Sequence, residues 1–264
     1  MELVYKFRFI NRKQIQEIMG HKDAHRINSW LKDLVEKNYL GRIYSHKLLE
    51  NTKPAVYHLN NNGILWCKIN MGWKYRRDDN QLSVSEIKKF YEDKHASEIF
   101  RNHCVNICEI YLRFKNLNRN FQYECITKTE LWTMQKEDED FQEKKNCIPD
   151  LFIEKIGKKG KSITYLLNLI DPHVPQYALE YKVNKYIKLH EEGDWSNYDT
   201  DNKKFPIIIF IFPTQQKLNR LANFIQESLD EFYIEEVIFI LTTYEKVMKE
   251  GLGNDNIWKI ISKR

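Results

Sequence analysis

The stretch Pro206-Ile-Ile-Ile-Phe-Ile-Phe-Pro213 places six consecutive apolar side chains between two prolines. It is far shorter than the ~18 residues needed to suggest a membrane span. Without polar alternation, such a run fits a strand covered on both faces, which requires helices packed above and below its sheet. The flanking sequence supplies them. Helical patterns cover Gln176–Glu192 and Gln215–Phe232, then come a strand at Glu236–Leu241 and a short helix at Tyr244–Glu250. Upstream, a helix runs from about Ser97 to Lys115, followed by strands at Phe121–Ile126, Ile148–Lys155 and Ser162–Ile170. The last two are joined by Gly157-Lys-Lys-Gly160, a hairpin signal. The resulting order predicts a mixed central sheet flanked by helices.

The first 66 residues read differently. Arg12–Gly20 sets Ile15, Ile18 and Met19 on one face and ends at glycine, as helices do. After the polar turn His21–His25, Arg26–Asn38 keeps Ile27, Trp30, Leu31, Leu34 and Val35 on one side. Its other face offers Arg26, Asn28, Ser29 and Lys32. Two β-like runs, Tyr39–Tyr44 and Ala55–Leu59, follow as a hairpin. This order predicts a winged helix-turn-helix whose second helix fits the major groove of double-stranded DNA, with the wing reaching adjacent backbone. Base-edge contacts are expected from Arg26, Asn28, Ser29 and Lys32, and phosphate contacts from Lys13, Lys22, His46, Lys47 and Lys53. The same motif can instead dock a protein.

Charge supports the first alternative. The chain of 264 residues carries +5, but residues 1–70 hold 12 Lys and Arg against 6 Asp and Glu, leaving −1 for the remainder. A basic module joined to a near-neutral one is the footprint of polyanion binding confined to the first. Residues 71–93 are polar and weakly patterned, so the expected division is a DNA-binding domain at 1–75, a linker at 76–93 and an α/β domain at 94–264. The amino terminus shows no signal-peptide pattern, and the expected location is the cytoplasm, with no membrane association. The five cysteines are unpaired in spacing, and Cys104 and Cys108 fall within an apolar helical stripe with Phe100, Ile107, Tyr111 and Phe114. They read as small core residues rather than metal ligands.

One constellation in the α/β part concerns chemistry. A metal-dependent nuclease needs carboxylates converging from adjacent strands, because Mg²⁺ takes hard oxygen ligands. Its sequence trace is Pro-Asp on one strand and Glu/Asp-x-Lys on the next. Pro149-Asp150 supplies the first element, but the partner strand reads Asn168-Leu-Ile170. A neutral amide and an isoleucine stand where the carboxylate and lysine belong. Asp171 could substitute, and Glu180-Tyr-Lys182 satisfies the spelling, although Tyr177, Tyr181 and Lys185 put it on a helix. Glu98 and Glu124 are further carboxylates. The candidate catalytic set is therefore Asp150, Asp171, Lys182 and Glu98, with Mg²⁺ as cofactor only if cleavage occurs and no metal ligand assigned otherwise.

Tyr5-Lys-Phe-Arg-Phe-Ile-Asn-Arg-Lys-Gln-Ile15, the Arg26-Ile-x-x-Trp-Leu pattern and the wing ending Val56-Tyr-His-Leu-Asn60 resemble the winged-helix part of bacterial replication-relaxation proteins. The later order is also similar: His95, Pro149-Asp150, the strand to Asp171, the helix with Lys182 and Tyr186, Pro206-Ile-Ile-Ile-Phe-Ile, an Arg-bearing helix and Ile257-Trp258. The resemblance implies a DNA-binding protein of a plasmid or mobile element, linked to replication or mobilisation, whose carboxyl domain has a restriction-endonuclease-like fold. Similar proteins carry Glu-x-Asp on the central strand, a pattern from which Asn168 departs. The expected function is sequence-specific DNA binding, with a degenerate nuclease-like domain serving in homodimerisation or contact with a replication or mobilisation protein. The alternatives are a metal-dependent endonuclease using Asp150 and Asp171, or a protein-binding inhibitor of a host system, for which 6 Trp and 15 Tyr supply aromatic surface.

Overall fold

The computed structural model describes residues 1–44, 53–75, 81–117, 121–134, 148–157, 162–192 and 204–263. The chain forms two compact units, Met1–Leu112 with Thr129–Lys136 and Arg113–Lys128 with Glu137–Arg264. The first holds 20 Lys and Arg against 14 Asp and Glu, a formal +6, so the basic excess stays with it.

In the first unit, α1 (Glu2–Phe7) leads to β1 (Ile10–Asn11), α2 (Arg12–Ile18) and α3 (Ala24–Glu36). β2 (Leu40–Ile43) and β3 (Val56–Leu59) follow, with β3 central in an antiparallel sheet of order β1-β3-β2. α2 starts on a reciprocal cap: Asn11 accepts from the Gln14 amide at 3.1 Å and Gln14 accepts from the Asn11 amide at 3.2 Å. The Gln14 side chain also donates to the Val105 carbonyl at 2.8 Å, tying α2 to α6 (Glu98–Lys115). Tyr5, Phe9, Ile10, Ile27, Leu40, Leu59 and Phe90 are fully buried. Tyr5 stacks on Phe90 at 4.9 Å, and its hydroxyl shares a 2.6 Å hydrogen bond with Thr133 on α7 (Lys128–Met134).

The expected linker is folded where it is described. After α4 (Asn61–Asn70), α5 (Val84–Tyr91) begins on a Ser83–Glu86 capping box and buries Ile87 and Phe90. Asp93 is wholly buried beside the Arg8 guanidinium, which also donates to the Lys89 carbonyl at 3.2 Å and lies 4.6 Å from the Phe100 ring. Burial pushes the Asp93 carboxyl up and the Arg8 guanidinium opposes that shift. The division between the two compact units falls inside α6, after Leu112. The polar composition of residues 76–93 masked a short amphipathic turn anchored by a buried ion pair.

The second unit is built on a six-stranded mixed sheet of order β4-β5-β6-β7-β8-β9. Its strands are β4 (Gln122–Thr127), β5 (Leu151–Ile156), β6 (Ser162–Leu169), β7 (Ile207–Phe212), β8 (Phe239–Thr243) and β9 (Lys259–Ile261). β6, β7 and β8 are parallel; the other neighbours are antiparallel. The apolar run is indeed internal, and every residue from Ile208 to Phe212 is buried. α8 (Gln176–Glu191) and α9 (Gln215–Glu231) cover one face, packing Val183, Tyr186, Leu221 and Ile225 against Ile208, Phe210 and Phe239. α10 (Tyr244–Glu250) follows β8 directly, its first turn capped by Thr243. Among the described residues, Cys67, Cys104 and Cys108 are buried and Cys125 is half-buried, and none of the four is in a disulfide.

Candidate nucleic-acid interface and the carboxylates at the sheet end

The α2–α3 corner is set by local chemistry. Gly20 takes a left-handed φ of 62°, which frees the chain to turn after α2. Asp23 then caps α3, accepting from the His25 amide at 2.8 Å and the Arg26 amide at 3.3 Å. These backbone donors, Arg26 first, hold its carboxyl below the usual range. Ile27 and Leu31 are the buried side chains of α3, so the opposite surface is left to solvent. Arg26, Asn28, Ser29 and Lys32 are all exposed on it, as are Lys13 on α2, Lys22 in the turn and Lys53 before β3. Lys32 lies 3.6 Å from Glu36, one turn along. His46 and Lys47 lie outside the described residues.

Two features differ from the pattern expected of the sequence. Trp30, assigned to the apolar side of α3, is 44% exposed and meets the His21 ring edge-to-face at 5.1 Å. It sits at the rim of the buried stripe rather than within it. Arg42 on β2, absent from the expected contacts, is exposed and its guanidinium lies 5.3 Å from the Tyr44 ring at the base of the wing. Strand alternation would not have found it, since Leu40, two residues earlier on the same face of the strand, is buried. The hairpin itself depends on a close approach: a Cβ on Gly41 would lie 2.2 Å from Nε2 of the buried His58.

In the second unit Asp150 and Asp171 reach the same end of the sheet, because β5 begins where the antiparallel β6 finishes. Asp150 is buried, and its carboxylate accepts the Leu169 amide at 2.9 Å while its own amide donates to the Leu167 carbonyl at 2.8 Å. Lys128 Nζ, which the sequence did not single out, is 3.9 Å from Asp150 Oδ1. Asp171 is half-buried and Lys182 is half-buried on α8, which confirms the helical setting of Glu180-Tyr-Lys182. Glu98 is exposed on the first turn of α6 and belongs to the other unit. Glu124 faces Glu154 across the β4–β5 ladder, three pairs in from Thr127.

Asn168 is completely buried on the α8 side of the sheet. It donates to the Leu166 carbonyl at 3.2 Å and the Ile209 carbonyl at 3.4 Å, and accepts from the Tyr186 hydroxyl at 3.0 Å. The residue at the expected carboxylate position is thus engaged inside the core. Among the described residues no group of three or more His, Cys, Asp or Glu side chains could hold a metal.

A sequence model of replication-relaxation proteins matches residues 1–203, the whole first unit and the second as far as α8. The chain belongs to the replication-relaxation family. No curated protein matches this family member. The match spans the α2–α3 corner, the wing, Asp150 and Asn168, while β7, α9 and β8 lie beyond it. No helix among the described residues is long and apolar enough to cross a membrane.

Proposed function

We propose that this chain is a sequence-specific duplex-DNA-binding protein of a plasmid or other mobile element, acting in the cytoplasm in replication, mobilisation or their regulation. The reading rests on one observation above all: α3 buries Ile27 and Leu31 and turns Arg26, Asn28, Ser29 and Lys32 outward from a unit carrying +6. α2, α3 and the β2–β3 hairpin act as a winged helix-turn-helix. α3 enters the major groove, and Lys13, Lys22, Lys53 and the wing residues His46 and Lys47 hold phosphates. The family match supports the replication setting.

The second unit, in this reading, is a restriction-endonuclease-like domain that has lost cleavage and serves homodimerisation or contact with a replication or mobilisation protein. Support comes from Asn168, whose amide is committed to Tyr186 and two strand carbonyls. Enrichment of bound fragments from random and plasmid DNA tests the binding reading. Lys53→Ala should weaken all duplexes alike and lower the salt slope by about one unit, whereas Asn28→Ala should relax preference at one base pair. Equal binding by the wild type and a Lys13/Lys22/Lys53 triple-alanine variant at moderate salt would overturn it. Incubation of supercoiled plasmid with Mg²⁺ or Mn²⁺ tests the second unit; nicking that Asp150→Asn abolishes would restore the endonuclease reading.

A further inference from the structure

We propose that Trp30 is a specificity-determining residue of the α3 surface, its indole reading the C5-methyl group of thymine in the major groove. The proposal rests on the duplex-DNA reading above and adds a base to it. Trp30 is four residues after Arg26, so these two side chains are neighbours on α3, and Ser29, three residues after Arg26, neighbours Arg26 in turn. Arg26 and Ser29 are exposed, and Trp30 is 44% exposed at the rim of the stripe that buries Ile27 and Leu31. A large aromatic side chain thereby stands among the polar groups of a basic unit.

The indole is also held in place. The His21 ring meets it edge-to-face at 5.1 Å, and His21 Nδ1 lies 3.2 Å from the Asp23 amide nitrogen, which donates to it. Asp23 in turn caps α3. The turn that positions the helix therefore positions the ring, which reduces the ordering cost of a contact made by it. Chemistry then selects the target. Indole offers apolar faces and a single N–H donor, with no acceptor. The thymine C5-methyl is the apolar group that the base pairs present in the major groove, and apolar side chains read it by contact.

The test uses the full chain, Trp30→Ala and Trp30→Phe with a duplex library carrying a random core. The wild type should fix one or two A·T pairs that Trp30→Ala leaves degenerate. Replacing thymine with deoxyuridine at those pairs should weaken the wild type about fourfold, the worth of one buried methyl, and leave Trp30→Ala unchanged. Trp30→Phe should retain part of the discrimination. Identical sites selected by wild type and Trp30→Ala, or a wild type indifferent to deoxyuridine, would overturn the proposal while salt-dependent duplex binding persisted. Should Trp30→Ala fail to fold, the deoxyuridine measurement on the wild type decides alone. Absence of any wild-type binding at low salt would overturn the duplex-DNA reading and this inference with it.

Discussion

Asn168→Asp would change a single side-chain atom at a fully buried site, and its consequence can be worked from the three hydrogen bonds there. An ionised carboxylate would face the Leu166 and Ile209 carbonyl oxygens with no donor to offer them. Folding would therefore require the aspartate to be neutral, with its pKa raised far above the unfolded value of about 3.9. Keeping it protonated costs about 1.4 kcal/mol per pH unit above that value, or about 4 kcal/mol at pH 7 and about 1.5 kcal/mol at pH 5. A neutral carboxyl has one donor where the amide had two, which adds about 1 kcal/mol. The sign follows from proton binding: the folded state holds a proton that the unfolded state releases, so stability falls as pH rises. Urea unfolding followed by circular dichroism should show a loss of about 5 kcal/mol at pH 7 and half that at pH 5, relative to wild type. A loss that is the same at pH 5 and pH 8 would refute the reasoning, because it would mean that the carboxylate reaches solvent. It would also return position 168 to the list of possible metal ligands.

Arg8→Ala strands the buried Asp93 carboxyl and should cost about 3–5 kcal/mol by urea unfolding, with Arg8→Leu/Asp93→Leu recovering most of it. Gly41→Ala drives a Cβ into the His58 ring and should lower the stability of the first unit by about 1–3 kcal/mol, read as a drop in melting temperature. Burial holds the His58 pKa below its usual 6.5, so the unfolded state takes up the proton more readily and the first unit should lose stability as pH falls below about 6.5. His58→Gln should flatten that dependence in thermal scans between pH 5 and 8.

The second unit was legible because its signals are long. A helix beginning at Gln176, another at Gln215 and a third over Tyr244–Glu250 all stand where periodicity placed them, as does the strand within Phe205–Phe212. β9 escaped because three residues, Lys259–Ile261, carry no period of their own and acquire strand form by pairing with β8. α5 escaped for a related reason: its apolar side chains, Ile87 and Phe90, are too few to stand out in a charged segment. Trp30 shows the opposite error. Hydrophobicity assigned it to the stripe, but its angular position at the rim leaves it half in water. At the candidate site, the missing charge at Asn168 was visible in the sequence. That the amide points into the α8 core, and that Lys128 comes near Asp150, required the sheet register.

The crossing of the chain between units has a consequence for synthesis. Leu131 and Thr133, buried in the first unit and the latter bonded to Tyr5, follow a strand that belongs to the second. On the ribosome the basic unit cannot close when Leu112 has emerged; it must wait until α7 has cleared the exit tunnel, with β4 held unpaired meanwhile. No single cut leaves both units whole: one after residue 136 keeps the first but takes Arg113–Lys128 from the second, and one after residue 112 keeps the second but takes Thr129–Lys136 from the first. Deletion analysis of the first unit should therefore keep residues 1–136 together, and a fragment ending before residue 129 should expose the Tyr5 hydroxyl that Thr133 of α7 shelters.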